Sequence, residues 1–290
     1  MGGETMYFDI EDNVLVEVRG DEACIVIPDG VAVIEKCVFR RSAMKEVRFP
    51  ESLRAIERAA FSGCMELASV WIPDGVERIA AFAFAACEAL RDVVLPASLK
   101  RIRAGCFSKD YALQSISIPD VVTQVGTEAF AHCQSLSGVV LPASLEIIQE
   151  EAFLQCESME RIEIPPATRY IGVRAFCDCA KLETLILHEG IEEISDGAFM
   201  SCAALKRVVL PKSLKRISES AFSDCVNLQE ICVSEDTEVF ADDKFKADGS
   251  GNYSVFDGKG LVYSFRDTFH TERSADNPFI ACSRAIITRH

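Results

Sequence analysis

Residues 142–164 read PASLEIIQEEAFLQCESMERIEI. The apolar positions are Leu145, Ile148, Ala152, Phe153, Cys156, Met159, Ile162 and Ile164, with mostly polar residues between them. The same pattern stands 23 residues earlier and 23 residues later, so Pro119, Pro142 and Pro165 align, as do Phe130, Phe153 and Phe176. A short fixed period of this kind is the mark of a solenoid and decides the fold ahead of any local propensity.

The repeat extends outward in both directions. Its proline column holds Pro28, Pro50, Pro73, Pro96, Pro119, Pro142, Pro165 and Pro211, eight of the ten prolines in the chain. Prolines scattered through loops would not fall in one column. The phenylalanine column runs Phe39, Phe61, Phe84, Phe107, Phe130, Phe153, Phe176, Phe199 and Phe222, with Phe245 in phase beyond it. Only the first step is 22 residues. The expected architecture is an α/β solenoid of about nine 23-residue coils over residues 25–233. Residues 1–24 then form an N-terminal cap and residues 234–290 a C-terminal cap. A weaker two-coil period is also present. Asp29, Asp74 and Asp120 follow alternate prolines, whereas Ser52, Ser98 and Ser144 follow the others, and the alternation slips at Pro165. A doubled ancestral unit and chance at exposed turns both account for it.

Residues 67–90 show what one coil must look like. Val70 and Ile72 alternate with Ser69 and Trp71, as in a short strand with one buried face. Pro73 lacks a backbone donor and closes that strand. Asp74-Gly75 signals a turn, and Val76 and Ile79 mark a second buried segment. Ala83-Phe84, Cys87 and Leu90 follow at spacings of three and four, which predicts a short helical turn. One coil cannot bury its apolar side alone, whereas stacked coils cover each other. Successive strands should therefore pair in parallel, and the phenylalanines should form an internal stack of rings.

Thirteen cysteines suggest a disulfide or zinc protein until they are placed. Cys64, Cys87, Cys133, Cys156, Cys179, Cys202 and Cys225 form one column, with Asp110 in its vacancy. One small side chain per coil reads as a buried ladder of free thiols. No Cys-x-x-Cys occurs, so neither zinc nor another metal is expected. Gly-rich phosphate loops, His-Glu-x-x-His and Gly-x-Ser-x-Gly are also lacking, and His132, His188, His270 and His290 are scattered. The expectation is no enzyme and no cofactor. The net charge of −15 excludes nucleic acid as a natural partner, because phosphates need a basic face. No run of eighteen apolar residues predicts a membrane span. The acidic start lacks the basic and apolar segments of a signal peptide, so as written the sequence points to the cytoplasm. Arg19-Gly20-Asp21 matches an integrin-binding tripeptide, but it equally suits a turn between strands at residues 14–18 and 23–27. Residues 254–256 and 261–265 flank Asp257-Gly258-Lys259-Gly260 as a hairpin, and the tail from Arg266 onward looks irregular.

The chain resembles the BspA-like leucine-rich repeats. The residues that carry the likeness include Leu182, Leu185, Leu187, Ile191, Ile194, Ala198-Phe199, Cys202 and Leu205. Ile72-Pro73, Leu95-Pro96, Ile118-Pro119, Leu141-Pro142 and Leu210-Pro211 carry it too. The resemblance implies a right-handed coil with parallel strands on a concave face. It also implies bacterial surface proteins that act as adhesins on host proteins.

Strand alternation picks out the residues that face outward. One column is Arg48, Trp71, Val94, Ser117, Val140, Glu163, Ile186, Val209 and Cys232, and the next includes Arg161 and Arg207. An apolar set on a surface strand, with the only tryptophan, is expected to contact a protein or peptide. Trp71, Val94, Val140, Ile186 and Val209, with Arg161 and Arg207, are the candidate binding residues. The expected function is a non-enzymatic protein-binding scaffold. A surface adhesin and a structural spacer without a ligand are the competing readings.

Overall fold

A computed structural model describes residues 6–20, 22–217 and 220–233, and the backbone of strands Tyr253–Phe256, Leu261–Ser264 and Ile286–Arg289. Asp21, Phe245, the turn at residues 257–260 and most of the tail after Arg266 lie outside the described residues. The chain divides into an N-terminal unit, residues 1–142, and a C-terminal unit, residues 143–290. It is a β-solenoid of about nine turns with parallel sheets.

Each coil contributes two short strands. In the N-terminal unit, Cys24–Val26, Glu46–Arg48, Ser69–Trp71 and Asp92–Val94 form one sheet in that order, and Ser115–Ser117 pairs with Gly138–Val140. In the C-terminal unit, Arg161–Ile164 pairs with Thr184–Leu187, and Arg207–Val209 with Glu230–Val233. The register follows the sequence period. Ser115 lies opposite Gly138, and the short first step reappears as Cys24 opposite Glu46. Second strands stack in the same way, as where Ile147–Ile148, Tyr170–Ile171, Glu193–Ile194 and Arg216–Ile217 lie side by side. Between the two strands sits the proline turn. The Pro73 carbonyl accepts from Val76 N–H at 3.0 Å and the Pro211 carbonyl from Leu214 at 3.2 Å. The ring thus ends one element and starts the turn that leads to the next.

The expected helical turn does not form: no α-helix occurs among the described residues. The segment around each phenylalanine is a chain of tight turns. Alternate amides bond three residues back, as Ala60 to Glu57, Ser62 to Ala59 and Cys64 to Phe61, each at 3.2 Å. The amides between them bond to the next coil, as Ala59 to Ala81, Phe61 to Ala83 and Gly63 to Ala85, at 2.8–3.1 Å. The same lattice recurs at Glu151, Phe153 and Gln155, which donate to Val173, Ala175 and Cys177. A helix would direct every amide four residues back and leave the neighbouring coil's carbonyls unpaired. Two residues per coil, flanking the phenylalanine, adopt left-handed φ to make this possible: Ala59 (54°) and Gly63 (78°), or Glu151 (54°) and Gln155 (56°).

The core follows the columns. The rings of Phe61, Phe84, Phe107 and Phe130 stack nearly parallel, with centroids 5.1, 5.8 and 5.5 Å apart. Phe153, Phe176, Phe199 and Phe222 do the same in the C-terminal unit at 5.1–5.3 Å. Ring spacings of this size suit offset stacking. The ladder thiols are buried and form no disulfide, and six of them donate to a phenylalanine carbonyl one coil back. Cys64 reaches Phe39 at 3.1 Å, Cys87 reaches Phe61 at 3.3 Å, and Cys202 reaches Phe176 at 3.3 Å.

The two-coil period has a structural role. The Ser98 hydroxyl donates to the Asp74 and Val76 carbonyls at 2.7 and 2.6 Å, while Asp74 accepts from Ala97 N–H at 3.1 Å. Ser52 meets Gly30 N–H and the Val31 carbonyl likewise. In the C-terminal unit, Ser213 clasps Gly190 and Ile191, and Glu189 accepts from the amides of Lys212 and Ser213. A turn of one type is thus fastened to a turn of the other type in the next coil.

At the N-terminus the strand pairing differs from expectation. Val14–Arg19 pairs antiparallel with Tyr7–Glu11, and Cys24–Val26 joins the parallel sheet instead. The cause is Asp12-Asn13, whose φ values of 47° and 66° make a two-residue hairpin turn. Near the C-terminus, Tyr253–Phe256 and Leu261–Ser264 pair antiparallel. The tail is not irregular throughout, because Ile286–Arg289 adds in parallel to Glu230–Val233.

Candidate functional site

A strand one side of which packs on the phenylalanine stack must present alternate residues outward. In the N-terminal unit this rule sets Val70 and Ile72 inside and Trp71 outside. Trp71 is 73% exposed, Val94 53% and Val140 65%. Trp71 lies directly opposite Val94 in register, so their side chains share one face. Small residues flank them: Ser69, Ser115, Ser117 and Gly138 sit on the same strands. Val26, 58% exposed and in register with Arg48, extends this column by one coil. The repeat pattern could have found it, since the first coil obeys the same alternation once its shorter step is allowed for. Arg48 is engaged by Glu46 on its own strand, at 2.8 Å. The exposed apolar surface of these strands is therefore not screened by a free cation at that point.

The C-terminal unit offers a different surface. Val209 is 49% exposed, but Ile186 is only half-buried. Charged side chains dominate, and they are paired. Arg161 meets Glu163 at 3.2 Å, His188 meets Glu163 at 2.8 Å, and Arg207 meets Glu230 at 2.8 Å. The hydrogen bond from His188, then that from Arg161, holds the Glu163 carboxyl below its ordinary range. Cys232 does not face outward as the column expects. It is buried, and Arg207 Nη2 approaches its Sγ at 3.3 Å. Contact with that sulfur, then with Glu230, raises Arg207 above the usual guanidinium range. Exposed pairs of this kind add little stability, but they fix the direction in which each cation points.

No cluster of three His, Cys, Asp or Glu with ligand geometry occurs among the described residues. A shallow, mostly polar recess of about 270 Å³ is lined by Glu146, Pro166, Ala167, Arg169, Gly190 and Glu192. No helix of the described residues is long and apolar enough to cross a membrane.

A family model described as the BspA type leucine-rich repeat region, six copies, matches residues 22–137 and 123–250. No curated protein matches the chain. Among solved structures, a leucine-rich repeat protein from Bacteroides ovatus superposes with a TM-score of 0.71 at 26% identity. The match covers 82% of this chain and 66% of that one. The leucine-rich repeat protein of T. pallidum gives 0.53 at 24% identity, covering 69% and 87% of the two chains. The pneumococcal vaccine antigen PcpA gives 0.50 at 19% identity, covering 76% and 64%. At those identities the last two likenesses speak to fold alone.

Proposed function

Because the chain belongs to the BspA-type leucine-rich repeat family, we propose that it is a non-enzymatic scaffold that binds a protein or peptide on its outward strand face. The observation that carries this reading is Trp71, 73% exposed beside Val94 and on the same face as Val140. A large exposed aromatic on a strand, with Val94 beside it, is the kind of anchor that dominates binding energy when a partner covers it. Val209 and Ile186 are the apolar contacts of the C-terminal unit, with Arg161 and Arg207 as its polar positions. A chain of net charge −15 favours a partner that carries basic residues.

Peptides selected from a random display library on the intact protein test the reading. Binding of the selected peptides should weaken at least about tenfold in the Trp71→Ala/Val140→Ala double variant, the effect of about 1.4 kcal/mol. The melting temperature should stay where it is, since both side chains are exposed. Met65→Ala, also exposed but off these strands, should bind as the parent does. Trp71 is the sole tryptophan, so its emission should shift on binding. Peptides that bind the double variant unchanged would overturn the reading, and a library that yields no binder would favour the spacer.

A further inference from the structure

We propose that Asp110 is held as a neutral carboxylic acid whose Oδ2–H donates to the Phe84 carbonyl, which makes it a protonation switch in the core of the N-terminal unit. Asp110 occupies the place of a ladder cysteine and is fully buried. Six rungs of the ladder are donors: Cys64, Cys87, Cys133, Cys179, Cys202 and Cys225 each give a thiol hydrogen to a phenylalanine carbonyl 25 or 26 residues back. The matching carbonyl for Asp110 is that of Phe84.

The rung has two acceptors to satisfy, the Phe84 carbonyl and the second Asp110 oxygen. In neighbouring coils the ladder amide bonds the phenylalanine carbonyl three residues before it, as Cys64 to Phe61 and Cys133 to Phe130. Cys87 N–H departs from this and donates to Asp110 Oδ1 at 2.8 Å. That bond diverts the usual donor away from the Phe84 carbonyl. The other carboxyl oxygen, Oδ2, is buried and has no hydrogen-bond partner. An ionised carboxylate is acceptor-only and would repel a carbonyl oxygen, whereas a proton on Oδ2 makes it a donor. Isolated buried charge is far more costly than protonation.

The surroundings supply no counter-charge. The titratable groups that face Asp110 are the thiols of Cys87 on the preceding coil, Cys106 on its own and Cys133 on the next. Its chain neighbour Lys109 is exposed. Burial pushes the Asp110 carboxyl well above the carboxylate range, and the Cys87 amide opposes this more weakly. The sign follows from a native affinity for the proton that exceeds the unfolded one. The contribution to stability is complete below the unfolded value near 3.9. It falls as pH rises and is lost through the native pKa, by about tenfold in the folding constant per pH unit. Rising pH therefore loosens the coils that Phe84 and Asp110 join.

The test compares the parent with Asp110→Asn and Asp110→Cys. Asparagine keeps an acceptor for Cys87 and gives Phe84 an amide donor at every pH, and cysteine restores the common rung. Denaturant unfolding by circular dichroism from about pH 5 to pH 8 should show the parent's folding constant dropping against both variants, approaching tenfold per unit below the native pKa. The two variants should keep a constant ratio to each other. The infrared spectrum of the parent at neutral pH should hold a protonated-carboxyl band that both variants lack. A pH-independent ratio of parent to variants would overturn the proposal. So would the missing band, which can be sought in the parent and Asp110→Cys even if Asp110→Asn does not fold.

Discussion

At the scale of single residues, periodicity gave the positions but not the bonds. The phenylalanine column was readable because a large apolar side chain repeated at one interval has one economical use, an internal stack. Asp110 was visible only as a gap in the cysteine column. Its partner, the Cys87 amide, comes from another coil, and no spacing within a sequence reports which donor a carboxyl will take. The left-handed residues were equally hidden, because few of them are glycine. Where glycine does occupy such a place, the reason can be specific. Gly105 has φ +59°, and a Cβ there would overlap the ring of Phe82, which caps it from the preceding coil. Gly105→Ala should therefore cost at least about 1–2 kcal/mol for the backbone alone, plus the steric term. In a Phe82→Ala background the same substitution should cost less, and urea denaturation of the four proteins in the cycle would show the difference.

At the scale of elements, the strands were legible and the third segment of each coil was not. Spacings of three and four fit a helix and a succession of tight turns equally well. What separates them is the destination of the amides, and here the next coil's carbonyls compete successfully with the helix's own. The N-terminal hairpin is not legible for a local reason. Asp12-Asn13 sits before the repeat begins, and Arg19-Gly20-Asp21 carries the stronger turn signal. The clasps between turns were half legible: serine and aspartate alternated in the sequence, but only the structure joins them. Ser98→Ala removes a hydroxyl that meets two carbonyls and should destabilise the protein by about 1 kcal/mol. Ser98→Thr should retain most of it. Equilibrium unfolding of both variants decides the point, and equal losses would show that the clasp contributes nothing.

At the scale of the whole molecule, the sequence supported the scaffold reading through columns of residues, and three of its site residues look different in three dimensions. Ile186 is half-buried, and Arg161 and Arg207 are already held by carboxylates on neighbouring positions. Pairing between adjacent strands is a property of rotamers, which a column of letters does not carry. Thiol chemistry offers a global check on the fold. Of the twelve described cysteines, only Cys24 and Cys37 are exposed. Burial moves the others away from reactivity: Cys177 rises to about 12, chiefly through desolvation. A thiol reagent at neutral pH should label two sites quickly in a Cys282→Ser protein and the remaining ten only on unfolding. Rapid labelling of the ladder would contradict its place in the core.

The clasps between turns bear on how such a gene can change length. A turn that offers carbonyls needs a serine after it, and a serine needs such a turn before it, so the smallest neutral insertion or deletion is two repeats. The chain preserves one odd step, at Pro165, where the alternation slips. There the hydroxyl of buried Thr168, one place later than serine would stand, reaches the Leu145 carbonyl at 2.7 Å. At the slip, a threonine hydroxyl thus takes over the bond to the preceding turn.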